Sequence, residues 1–285
     1  MKMRVSVGLV LVAGSLRGQV VQPVAGTVPV CAATSPAGSH KGHPTDAEIA
    51  AVRDGVAADP SFVLADERLK NFAVSRYELV DYANCVGTHG CYWKDLDAQF
   101  VRAEKMLKAK VAEVRAAFAK SASAGVVSTN GPLAKRMALV LDIDETSLTA
   151  YCEEPREDWG YLGKQFNEWV VTEEGGMGIP GSRRLFELAK SEGVAVFFIT
   201  GRPEAQRDAT AKNLKAAGFV GYEGLRLKPV GYTGTTIAYK SGERRKIESL
   251  GYRIVMNVGD QFSDLLGEPK AEISVKVPNP FYYLP

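Results

Sequence analysis

Residues Met137–Tyr151 read MALVLDIDETSLTAY, and this stretch decides the fold. An apolar run stops abruptly at Asp142 and Asp144, one residue apart, and Glu145 follows at once. A short run with no polar alternation is what a strand covered on both faces requires. Acids at the carboxyl end of such a strand call for a chemical reason.

The same rhythm continues toward the C-terminus. GSRRLFELAKSEG, PEAQRDATAKNLKAAGF and SGERRKIESLG have helical character, and they alternate with VAVFFIT, GLRLKPV and RIVMNVGD, which read as strands. Alternation of this kind marks βαβ units and a Rossmann-like parallel sheet of the α/β class. In such sheets ligands bind outside the carboxyl ends of the strands, so the polar residues after each apolar run matter most. Those residues are Asp142 and Asp144, then Thr200, Gly201 and Arg202, then Asp260 and Asp264, with Lys240 at the start of the helix SGERRKIESLG.

Four acids gathered at one sheet edge repel each other by about 4 kcal/mol per pair at ~4 Å and an effective dielectric of 20. Lys240 supplies one positive charge, and a divalent cation would supply two more. Oxygen ligands without histidine or thiolate select a hard ion, and Mg²⁺ is expected. A carboxylate can attack phosphorus, so Asp142 is the expected nucleophile. Asp144 lies on the same side of the strand and can serve as general acid and then base.

Upstream, DLDAQFVRAEKMLKAKVAEVRAAFAK carries Leu96, Phe100, Ala103, Leu107, Val111, Val114 and Phe118 at spacings of three and four. That is one apolar stripe on a long amphipathic helix. Lys2 and Arg4 precede an apolar stretch too short to span a membrane, which suits a signal peptide over 1–26 with candidate cleavage sites at Val12-Ala13-Gly14 and Val24-Ala25-Gly26. Residues 27–45 read as a linker, 46–130 as an N-terminal helical extension, and 137–285 as the α/β core with a small cap at about 147–180. Cys31, Cys85, Cys91 and Cys152 fit an oxidising compartment, and a Cys85–Cys91 bridge is expected across NCVGTHGCYW. The protein is therefore expected to be secreted or periplasmic, with no stable membrane anchor. The net charge of +2 points away from nucleic acid.

Four segments together, DIDET, FFITGR, YKSGERR and NVGDQFSDL, resemble the motifs of the haloacid dehalogenase-like (HAD) superfamily. With KVPNPFYYLP they resemble more narrowly its acid phosphatase branch, which includes plant vegetative storage proteins and bacterial acid phosphatases. The resemblance implies a HAD fold with an inserted cap. It implies Mg²⁺ held by the carboxylates of Asp142 and Asp260 and the backbone carbonyl of Asp144, with Asp264 orienting a bound water. Thr200, Gly201 and Lys240 would hold the phosphate, and Arg202 would touch the substrate. Phe166 and Tyr282 fall where relatives place two rings that sandwich a flat leaving group, while Trp159, Tyr161 and Trp169 read as packing.

Other phosphatase chemistries lack their residues. No histidine sits in Arg-His-Gly, no cysteine has an arginine six residues on, and no phosphate-binding Gly-x-x-x-x-Gly-Lys-Ser/Thr loop occurs. A dehalogenase has no use for Asp144. The expected activity is hydrolysis of a small phosphomonoester, a nucleoside monophosphate or an aryl phosphate, through an aspartyl-phosphate. The alternatives are a non-catalytic storage or binding protein of the same fold and a phosphotransferase. A second copy of the chain in a homodimer is the one macromolecular partner expected.

Overall fold

The computed structural model describes residues 20–31, 45–61, 69–124 and 136–284. Eight helices and five strands follow one another in these segments: α1 (Asp46–Ala57), α2 (Phe72–Asn84), α3 (Tyr92–Ser123), β1 (Arg136–Leu141), α4 (Gly163–Trp169), α5 (Pro180–Ser191), β2 (Ala195–Pro203), α6 (Arg207–Ala216), β3 (Gly224–Lys228), α7 (Thr236–Ser249), β4 (Tyr252–Gly259), α8 (Phe262–Leu265) and β5 (Ser274–Lys276). The strands form one parallel sheet in the order β3-β2-β1-β4-β5. β1 lies at its centre, which is why its sequence is apolar throughout.

Alternate residues of each strand feed two layers. Leu139, Leu141, Val196 and Phe198 face one core, closed by α3, α5 and α6 through Phe100, Phe186 and Leu214. Ala138, Val140, Phe197 and Ile199 face the other, closed by Tyr239 and Ile247 of α7. The stripe on α3 is buried from Leu96 to Val114, whereas Phe118 is 40% exposed, because the last turn runs past the core. α3 and α5 lie very close. A Cβ at Gly181 would stand 2.7 Å from Phe100 Cβ, so only glycine fits there.

Residues 1–19, most of the expected signal peptide, and 32–44, most of the expected linker, lie outside the described residues. Residues 20–31 belong to the folded body. Val20, Val28 and Cys31 pack on the main core. The Gln22 amide donates to Gly176 O at 3.0 Å and accepts from Gly178 N at 2.8 Å. Cys31 is bridged to Cys152, a pairing 121 residues apart. A cut at Gly26 would remove the Gln22 contacts. The expected Cys85–Cys91 bridge is present.

Among the described residues no helix is long and apolar enough to cross a membrane. Between β1 and α5 the chain makes a 3-10 turn at Glu154–Glu157 and the short α4, and this segment overlies the carboxyl end of the sheet.

Candidate active site

Asp142 is the first residue after β1. Its N–H still donates to Val258 O at 3.0 Å, so the ladder with β4 fixes its backbone. The chain then turns tightly. Ser147 N and Leu148 N both donate to Ile143 O, and the Ser147 hydroxyl donates to Asp142 O at 2.6 Å. Glu145 takes a left-handed backbone with φ of 55°, uncommon for a non-glycine residue and held by its surroundings. Its carboxylate points inward rather than into the site. It accepts from Tyr92 OH at 3.1 Å, from the Thr149 hydroxyl and from Ala150 N, and burial pushes its pKa up to about 8. Tyr92 belongs to α3, so the helical extension supports the turn after β1 from behind.

Above this turn lies a cavity of about 300 Å³, within the size range of small-molecule sites. Asp142, Asp144, Gly201, Arg202, Lys240, Asp260, Asp264, Phe166 and Tyr282 all line it. Thr200 does not. It is fully buried, and its hydroxyl accepts from Arg202 N at 3.1 Å, so it underlies the cavity and shapes the turn that presents Gly201 and Arg202.

Lys240, from the first turns of α7, is buried among the acids. Its ammonium donates to the Asp142 carboxylate and to Ile199 O at 2.9 Å, and lies 2.8 Å from Asp264 Oδ1. One carboxylate oxygen from each of Asp142, Asp260 and Asp264 lies within 4.8 Å of the others. Burial alone would lower the Lys240 pKa, but Asp142 and Asp264 outweigh it and hold the ammonium charged. Burial and the neighbouring acids raise Asp142, and burial with Asp264 raises Asp260 to about 6. One cation among three acids leaves two negative charges in excess. That excess and the all-oxygen donor set fit a hard divalent cation.

Residues that the sequence reading did not single out complete this cluster. Asp260 accepts from the Thr146 hydroxyl at 3.0 Å and from the amides of Gln261 and Asn279, each at 2.7 Å. Asp264 Oδ2 accepts from Gln261 N at 2.8 Å. Gly259 gives the room. A Cβ there would stand 2.4 Å from Asp264 Cβ. Gln261 and Asn279 do lie inside the quoted GDQFSD and PNPFYY segments, so their positions, though not their roles, were visible.

Asp144 stands apart from the three. Its carboxylate faces Arg202, which donates from Nε to both oxygens at 3.1 Å and from a terminal nitrogen to Oδ1 at 2.7 Å. Arg202 is itself buried, with a further contact to Thr210.

The aromatic wall also differs from expectation. Trp159 and Trp169 are buried packing residues, but Tyr161 is 46% exposed and lines the cavity. Its ring centre is 5.4 Å from that of Phe166 and 5.8 Å from that of Tyr282. Tyr161 thus stands between Phe166 and Tyr282, tilted 52° to the first ring and 45° to the second.

A family model described as HAD superfamily, subfamily IIIB (acid phosphatase), matches residues 67–285. The chain belongs to HAD subfamily IIIB. Among curated relatives, acid phosphatase 1 of Solanum lycopersicum is 38% identical over 152 residues, covering 51% of this chain and 58% of that protein. Vegetative storage protein 1 of Arabidopsis thaliana is 32% identical over 149 residues, covering 51% of this chain and 55% of that protein. The chain thus spans a little over half the length of the curated relatives it matches. The solved class C acid phosphatase from Bacillus anthracis superposes with a TM-score of 0.50 at 22% identity, covering 74% of this chain and 86% of that one, a likeness of fold alone. The subfamily's HAD core thus accounts for the parallel sheet and for acids at its carboxyl edge.

Proposed function

We propose that the protein is a secreted or periplasmic, Mg²⁺-dependent phosphomonoesterase working through an aspartyl-phosphate. The observation that carries this reading is the placement of Asp142 at the cavity floor, bonded to Lys240 and flanked by Asp144. An Asp142 oxygen attacks phosphorus and forms the acyl phosphate as the bond from phosphorus to the leaving oxygen breaks. Asp144 gives its proton to that oxygen. It then takes a proton from the water that attacks the same phosphorus, which frees Asp142 and inorganic phosphate. Arg202 orients the ionised Asp144 carboxylate between the two proton transfers. Lys240 offsets charge as the dianion approaches.

A divalent cation would be held by Asp142 and Asp260 with Asp264 beside them, and by the backbone carbonyl of Asp144 as the resemblance implies. When bound, it supplies positive charge against the phosphate and the crowded carboxylates. The wall of Tyr161, Phe166 and Tyr282 supports flat leaving groups, as in nucleoside monophosphates and aryl phosphates. Two disulfides support residence in an oxidising compartment.

The test is phosphate release from 4-nitrophenyl phosphate by wild type and Asp142→Asn, each with added Mg²⁺ and after exhaustive chelation. Turnover only in metal-supplied wild type is expected. Wild type without turnover would favour a storage role of the kind that the name of the Arabidopsis relative suggests.

A further inference from the structure

Seven charged side chains line the cavity, and six of them are engaged. Lys240 is bonded to Asp142 and Asp264, Arg202 to Asp144, and Asp260 to three neutral donors. The seventh is Lys228, the last residue of β3. It is half-buried and pairs with no carboxylate among the described residues. Burial and the nearby Lys240 both lower its pKa, as expected for an ammonium facing a cavity with no counter-charge of its own.

Its place in the sheet gives the direction. Strand order puts β2 between β3 and β1, and Lys228 is paired in register with Pro203 of β2. Its backbone is therefore about two strand spacings, roughly 10 Å, from β1 and Asp142. The carboxylate cluster occupies the opposite side, along β1 and β4. A phosphoryl group at Asp142 thus has the acids on one flank and Lys228 on the other, beyond the reacting phosphorus. Tyr161 and Phe166 line the same cavity as Lys228, so a leaving group directed toward Lys228 would lie against them.

We infer that Lys228 forms a second anion subsite, and that preferred substrates are phosphomonoesters whose leaving group bears a further carboxylate or phosphate. This rests on the phosphomonoesterase reading and adds to it the charge of the leaving group. A charge-assisted bond formed in a partly desolvated site changes affinity by roughly tenfold or more.

The experiment compares kcat/KM for phenyl phosphate, 4-carboxyphenyl phosphate and 1,4-phenylene bisphosphate in wild type, Lys228→Met and Lys228→Arg. The quantity read is the preference for each anionic substrate over phenyl phosphate, which cancels general losses of activity. Wild type is expected to prefer at least one anionic substrate roughly tenfold. Lys228→Met should lose most of that preference, and Lys228→Arg should keep it. A gain with the bisphosphate alone assigns the subsite to phosphate, and a gain with the carboxylate alone assigns it to carboxylate. The inference is overturned if wild type turns over phenyl phosphate with no such preference, or if Lys228→Met lowers all three substrates by the same factor. No turnover of any substrate by wild type overturns the phosphomonoesterase reading and this inference with it.

Discussion

Replacing Lys240 with methionine keeps most of the buried stem and removes only the charge. The ammonium lies 2.8 Å from Asp264 Oδ1 and is bonded to Asp142. At an effective dielectric of 20, one such contact has a gross Coulomb energy of about 6 kcal/mol. Desolvation offsets part of it, and breaking a buried pair by removing one partner costs about 3–5 kcal/mol. The loss should depend on pH. Asp260 is raised from 3.8 to about 6, and Asp142 is raised as well. These groups keep protons in the folded chain at a pH where the unfolded chain has released them. Metal-free stability therefore falls as pH rises from about 4 through about 6. Without Lys240 the Asp142 pKa rises further, so the fall extends to higher pH. Urea unfolding in the presence of a chelator, at pH 5 and pH 7.5, reads this out. The variant should be about 3–5 kcal/mol weaker than wild type at pH 7.5, less so at pH 5, and Mg²⁺ should restore part of the difference. Equal stability at pH 7.5, or a deficit independent of pH, would refute the charge account of the site.

Asp142→Asn should fold, by circular dichroism, and lose at least three orders of magnitude in phosphate release, because the covalent step has no nucleophile. Gly259→Ala forces a Cβ within 2.4 Å of Asp264 Cβ, so Asp264 must shift, and a Mg²⁺ titration of activity should show a weaker metal requirement curve, displaced at least tenfold to higher concentration. Glu154 is buried beside Glu145, Glu157 and Glu153, and burial first among these causes raises its pKa from 4.5 to about 9. Its folded form keeps a proton that the unfolded form has lost, so it lowers stability progressively from pH 4.5 to about 9. Glu154→Gln should raise stability at pH 7 by up to ~3 kcal/mol and flatten the pH profile of the urea midpoint.

The parts of the fold visible in the sequence are those with a period. The runs ending at Leu141, Ile199 and Val258 carry no polar alternation, so β1, β2 and β4 stand out, and the acids after them mark the site. The stripe on α3 is equally plain from Leu96 to Val114. β5 was not visible, because SVK is three residues long and has only Val275 to bury. The contact between the Thr200 hydroxyl and the Arg202 N–H could not be read from the sequence, because a strand-end residue can face down as well as up and nothing local decides which. Tyr161 was taken for packing because spacing gives no measure of exposure. Thr146, Gln261 and Asn279 converge on Asp260 from positions up to 133 residues apart in the chain, and only the folded sheet edge brings them together.

The Cys31–Cys152 bridge also makes a closed covalent ring of everything between those two residues. The three N-terminal helices, β1 and the turn carrying Asp142 and Asp144 all lie within that ring. A protease that cuts the backbone at one point inside it releases nothing, because both new ends remain attached through sulfur. Such a nicked molecule keeps its full mass on a non-reducing gel and separates into two fragments only after reduction. A protein placed among extracellular proteases would in this way keep its nucleophile joined to the sheet after a first cut.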